Sequence, residues 1–226
     1  MCYSVESSAK TTLLSLTCIA ILLHSKNPHF KWMGFILIGW CIMQFAELLL
    51  WTTNPRKGCT EANKLITLFI IPIVLALQPL GSLLGSMLIK PWSVCTKERK
   101  TFLLVTMACI LFATYIIYYR NAIKNCTTVT PGGHLHWIIN DNADYATNGN
   151  WKMFIWAFII LFPIVTLWDA SYKIIILISV IPYLAYKKGA VTDSHASLWC
   201  YYTSFTSVVS VLFYGLYKLK IYNILA

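Results

Sequence analysis

Long apolar blocks alternate with short polar gaps along nearly the whole chain. A helix that crosses the hydrocarbon core of a bilayer needs ~20 mostly apolar residues, or as few as ~17. By that measure seven spans are predicted: Ala9–His24, Met33–Thr53, Leu65–Ile89, Thr101–Tyr119, Trp151–Trp168, Tyr172–Tyr186 and Leu198–Tyr217, the first and sixth being short. The expected fold class is therefore all-α, a polytopic helix bundle forming one transmembrane domain over residues 1–226. Lys10 followed by a short apolar run also fits a secretory leader within residues 1–25, but no small-x-small cleavage site follows Leu23. Asp169-Ala170-Ser171 leaves room only for a tight helical hairpin, with Asp169 placed to cap the sixth helix. Trp32, Trp51, Trp92, Trp151, Trp168 and Trp199 fall at or near span ends, the expected aromatic belt.

Composition sharpens this picture. Of 226 residues 58% are hydrophobic and only 12% charged, whereas soluble domains carry about a quarter charged residues. The principal partner implied is the lipid bilayer. The net charge of +10 does not indicate nucleic acid: the Lys and Arg residues sit in gaps between apolar blocks, where anionic headgroups hold them. Helix-mediated oligomers remain open.

Charge also bears on orientation. The N-terminal-side gaps hold nine Lys plus Arg and the opposite gaps nine. Discounting the long 120–150 loop tips the balance, because positive charge orients spans mainly from short loops. The expectation is an external or lumenal N-terminus and 120–150 loop, with a cytosolic C-terminus. Asn125-Cys126-Thr127 is a glycosylation sequon in that loop, usable only on the external side. The same loop carries two runs rich in β-branched and aromatic residues around Pro131-Gly132-Gly133, which predicts a β-hairpin lid. Cys59 and Cys126 face one side in any seven-span arrangement and are candidates for a disulfide if that side is oxidising. Cys18, Cys41, Cys109 and Cys200 lie inside spans, where cysteine serves as a small apolar filler.

The candidate chemistry lies in polar residues within apolar blocks. Trp40, Gln44, Glu47 and Trp51 are spaced to share one helical face. An ionised carboxylate in hydrocarbon is expensive, so Glu47 is expected to be protonated or paired, and intramembrane carboxyls are functional sites by default. Gln78 beside Pro79 in the third span, and Thr203, Ser204, Thr206, Ser207 and Ser210 in the seventh, complete a candidate polar core. Glu47 is expected within reach of Gln78 or of a carbonyl freed by Pro79. For Gln78 and the hydroxyls, plain interhelical glue is the competing reading, and Gly81-x-x-x-Gly85 is a close-packing motif of the same kind.

His134, His136 and His195 are weak candidates for a zinc site, since an H-x-H pair plus a distant histidine leaves a position open for water. Loop histidines are more often simply solvated, and no cofactor is expected. No G-x-S-x-G, H-E-x-x-H, C-x-x-C or phosphate-binding glycine loop is present. The set Gln44, Glu47, Trp51, Cys59, Asn63 and Gln78-Pro79 resembles a family of small multi-pass membrane proteins of giant DNA viruses and algae, over the second and third spans. That resemblance implies no activity. It singles out Glu47 and Gln78, and it allows a viral membrane.

Three functions are consistent with these residues. The first is a small transporter, channel or proton-coupled carrier using Gln44, Glu47 and Gln78. The second is an intramembrane lipid hydrolase of ceramidase-like type, and the third a structural membrane protein. A non-enzymatic role is favoured, because the histidines lie in a loop rather than on helices.

Overall fold

The computed structural model describes residues 4–115, 123–138, 158–162 and 195–220. Helix α1 (Val5–Leu23) is followed by α2 (Pro28–Thr52), then α3 (Glu61–Leu65), which passes through a π-helical turn (Ile66–Ile70) into α4 (Ile71–Ile89). After a short turn at Trp92–Val94 come α5 (Lys97–Tyr115), strands β1 (Ile123–Val129) and β2 (Leu135–Ile138), and α6 (His195–Lys218). Among the described residues, three helical stretches, Val5–Leu23, Pro28–Thr52 and Glu61–Leu88, are long and apolar enough to cross a membrane. The first residues of α5 are Lys97-Glu98-Arg99-Lys100, and the middle of α6 is rich in Ser and Thr, which dilutes its apolar character. Of the predicted fifth and sixth spans, residues 158–162 are helical and the remainder lies outside the described residues, as does Asp169.

Local chemistry starts and stops these helices. The Ser4 hydroxyl accepts from the Ser7 amide, Asn27 caps α2 with Pro28 in its first turn, and the Thr60 hydroxyl accepts from Asn63. Asn54, just past α2, adopts φ 57°, the left-handed conformation that closes a helix end.

Helix α2 is the centre of the bundle. Along its length only Pro28, Phe45 and Thr52 are exposed. It runs antiparallel to α4 with backbones almost touching. A Cβ on Gly39 would collide with the Leu77 carbonyl and the Gln78 Cα, and one on Gly81 would lie 2.6 Å from the Phe35 carbonyl oxygen. Gly85 gives the same room to Trp32, whose indole N–H donates to the Ser82 carbonyl at 2.7 Å. The Gly81-x-x-x-Gly85 motif therefore does pack a helix face closely. Trp32 departs from its expected place in the aromatic belt: it is fully buried and links two helices.

Among the described elements, α1 and α6 also pack on α2. Thr11 bonds to Gln44, Cys41 lies beside Ser15 and Cys18, and Gly34 meets Leu23, so α1 is antiparallel to α2. Cys41 contacts the Thr203 carbonyl, and Phe30 packs edge-on to Tyr214, so α6 is antiparallel to α2 as well. The start of α1, the 53–60 connection and the start of α6 consequently share one end of the bundle. The hairpin sits there too, with β1 against α3 and the π-helical turn and β2 against α6.

The hairpin is antiparallel, with Thr128 opposite His136 and Val129 opposite Leu135. Thr130 and His134 close its turn by hydrogen bonds, and Gly133 adopts φ 80°, accessible to glycine without strain. The register is irregular between Ile123 and Thr128. Within that irregularity Cys126 forms a disulfide with Cys59.

The helix contact yields a direct test. Gly39→Ala should cost about 1–3 kcal/mol, because the new methyl meets backbone rather than a yielding side chain. Gly215→Ala in α6, where no described residue lies within 4 Å of the added atom, should be neutral or stabilise by up to about 1 kcal/mol. Thermal unfolding of both variants in detergent, compared with the parent chain, reads this out.

Candidate functional site

Around an apolar core centred on α2, parts of α1 and α6 bury hydroxyls and expose large apolar side chains. On α1 the buried residues include Ser8, Thr12 and Ser15, while Leu13, Leu14, Leu16 and Ile21 are exposed. On α6 Thr203, Ser204, Thr206, Ser207 and Ser210 are buried, and Phe205 and Leu212 face outward. Large apolar side chains turned out and hydroxyls turned in is the arrangement that hydrocarbon solvent favours.

Within this interior Glu47 and Gln44 are both 0% exposed. The Thr11 hydroxyl donates to Gln44 Oε1 at 3.0 Å and also approaches the Ser7 and Ser8 carbonyls behind it. Antiparallel pairing of Thr11 with Gln44 brings Ser8 level with Glu47, one turn nearer the hairpin end. A 100° step per residue sets Glu47 about 60° round α2 from Gln44 and about 80° from Gly39. The carboxyl therefore occupies the part of the α2 surface between the α4 contact and the α1–α6 contact, on the flank shared with buried Trp40 and Trp51.

The same register separates Glu47 from Gln78. Gln78 packs beside Gly39, eight residues before Glu47 in α2 and hence about 12 Å away along the axis. The expected approach of the two side chains is replaced by another juxtaposition: Glu47 falls level with Ile70, the end of the π-helical turn. Gln78 belongs instead to a buried polar line on α4 with Ser82 and Ser86. Ser86 bonds to its own helix at the Leu83 carbonyl.

Above Glu47, at the hairpin end, lies a polar nexus that helical periodicity alone does not single out. Asn63, Thr67 and Thr127 are each at most 1% exposed. The Thr127 amide donates to Asn63 Oδ1 at 2.9 Å, and Asn63 Nδ2 donates to the Thr127 carbonyl at 3.0 Å. The Thr67 hydroxyl donates to Asn63 Oδ1 at 3.0 Å and lies 2.8 Å from the Thr127 hydroxyl. The side-chain amide of Asn63 thus pairs with one residue of β1 as a neighbouring strand would, and the adjacent Cys59–Cys126 bridge makes the attachment covalent. The π-helical turn begins just before Thr67. Its extra residue rotates α4 by about 100° relative to α3, so Asn63 and Thr67 can face the hairpin while Gln78 and Gly81 face α2. Such turns recur at functional sites. The signal available in the sequence is the Asn63 and Thr67 pair, one turn apart at the head of an apolar block.

The histidines fall at the same end. His134 is buried and His136 half-buried, and α6 begins at His195. Among the described residues no group of three or more His, Cys, Asp or Glu is placed to hold a metal ion. Asn125 lies in β1, at the lid end of the bundle.

Asn63→Ala removes both amide bonds to β1 and leaves the buried Thr127 carbonyl without its donor. The expected cost is about 1–3 kcal/mol. It should appear as faster amide exchange in residues 126–129, with exchange in α2 and α4 unchanged.

No protein-family model, curated protein or solved structure matches the chain.

Proposed function

We propose that this is a multi-pass carrier or channel that moves protons or small cations, with Glu47 as the group that binds and releases them. The observation that carries this reading is a fully buried carboxyl, neighboured by Gln44, inside a bundle whose outer surface is apolar. Intramembrane carboxyls are costly to retain, by about 2.5–3.5 kcal/mol at a helix centre on insertion scales. Structural pairing alone can be supplied by Ser, Thr or Gln, which this bundle has in plenty. Hydroxyls along α1 and α6 then extend the polar interior from the level of Glu47 towards the opposite end. The Asn63–Thr67–Thr127 nexus and the disulfide hold the lid above it. Gln78 contributes from α4 at a different depth, as a second polar station rather than a partner of Glu47. The kinship with small membrane proteins of giant DNA viruses and algae is part of this proposal, and so is the viral or host membrane it implies.

The orientation proposed places the lid outside or in a lumen and the C-terminus in the cytosol. Addition of glycan at Asn125 in a microsomal translation should be observed and should disappear in Thr127→Ala. A cytosolic, unmodified Asn125 would reverse the orientation.

The role of Glu47 separates cleanly from glue. Glu47→Gln keeps the shape and hydrogen-bonding capacity but cannot titrate, whereas Glu47→Leu removes both. In liposomes the Gln variant should fold with the parent's stability and lose pH-dependent ion flux, and the Leu variant should lose flux together with about 0.6–2 kcal/mol of stability. Flux unchanged in the Gln variant would leave Glu47 a structural residue.

A further inference from the structure

Outside the apolar bundle, a cleft of about 680 Å³ opens between the Pro55–Gly58 loop and the hairpin turn. Arg56, Lys57, Thr128 and Thr130 are among its lining residues, and among the described residues no Asp or Glu lines it. The Cys59–Cys126 bridge, one residue past Gly58 and two before Thr128, joins the two segments. The Asn63–Thr127 bonds fix the hairpin wall a second time. The cleft is therefore built rather than left between mobile loops. Among the described residues neither Arg56 nor Lys57 is in an ion pair; the ion pair found there joins Lys10 to Glu6. The Arg56 guanidinium lies 5.7 Å from the centre of the Trp51 ring, which restrains its side chain beside the cleft.

From this we infer that the cleft is a binding site for an organic phosphate, with Arg56 and Lys57 neutralising the phosphate and the Thr128 and Thr130 hydroxyls completing its hydrogen bonds. Two positive charges in a cleft with no acidic residue among its described lining suit the roughly −2 charge of a phosphate monoester. The volume lies within the 300–1,000 Å³ typical of small-molecule sites and is much larger than an inorganic phosphate requires, so the ligand carries an organic group. The cleft lies just past the end of α2, a helix long and apolar enough to cross a membrane. The same chemistry is offered by a lipid headgroup and by a soluble phosphate ester. The site is independent of Glu47 and of ion movement.

The test uses the full oxidised chain in phosphatidylcholine nanodiscs, titrated calorimetrically with glycerol 3-phosphate. A second arm places phosphatidic acid in the discs and measures by native mass spectrometry how much stays with the protein. Both arms are repeated with the Arg56→Gln, Lys57→Gln double variant. These are exposed loop residues, and retention of the Cys59–Cys126 linkage shows that the lid is still in place. Saturable binding of glycerol 3-phosphate, weakened about tenfold or more in the variant, supports the site with a soluble ester as ligand. Phosphatidic acid retained by the parent and lost from the variant supports it with a headgroup as ligand. Absence of binding in both arms, or equal binding by parent and variant, overturns the inference.

Discussion

The contact of α2 with α4 is made backbone against backbone. Gly39 faces the Leu77 carbonyl, Gly81 faces the Phe35 carbonyl, and the Trp32 indole N–H reaches the Ser82 carbonyl. In hydrocarbon there is no hydrophobic force between helices, so close dispersion contact and polar pairing have to supply the association. Because the contact tolerates no side chain at Gly39, it also fixes the sliding register of the two helices. That register sets the depth of Glu47, its alignment with the π-helical turn, and the separation of Gln78 from it.

With α2 held at the centre, α1 and α6 pack on its other faces with hydroxyls buried, and Thr11 of α1 reaches Gln44. The lid is organised by the same economy of polar groups. A helix beginning at the surface and a strand with an irregular ladder both leave backbone groups needing partners, and Asn63 and Thr67 satisfy them at Thr127. The Cys59–Cys126 bridge then keeps the strand from leaving. The outcome is a rigid end cap above an interior that contains an ionisable group. The proposed passage of ions rests on this arrangement.

Features set by local chemistry are legible in the chain itself. The hairpin at Pro131–Gly133 follows from turn residues, the Cys59–Cys126 pair from shared sidedness, and the close approach at Gly81 and Gly85 from small-residue spacing. The inward placement of Gln44 and Glu47 follows from helical periodicity. Features set by the relative position of two helices are not legible in this way. Gln78 and Glu47 both point to a polar interior, but only the Gly39 contact reveals that their positions are offset by about 12 Å along the helix axis. Trp32 looks like an interface anchor by position, yet its N–H is used between helices. Asn63 and Thr67 read as an ordinary helix beginning, because their partner Thr127 lies sixty or more residues away.

In the mechanism proposed, the Glu47 carboxyl exchanges protons through the polar interior. Infrared difference spectroscopy of the full chain in liposomes, with Glu47→Gln subtracted, isolates that one carboxyl from the other Asp and Glu residues. The expected result is a carboxylic-acid band, absent from the variant, that titrates with bulk pH and shifts on transfer to heavy water. A Glu47 band indifferent to both bulk pH and heavy water would contradict proton exchange at this site.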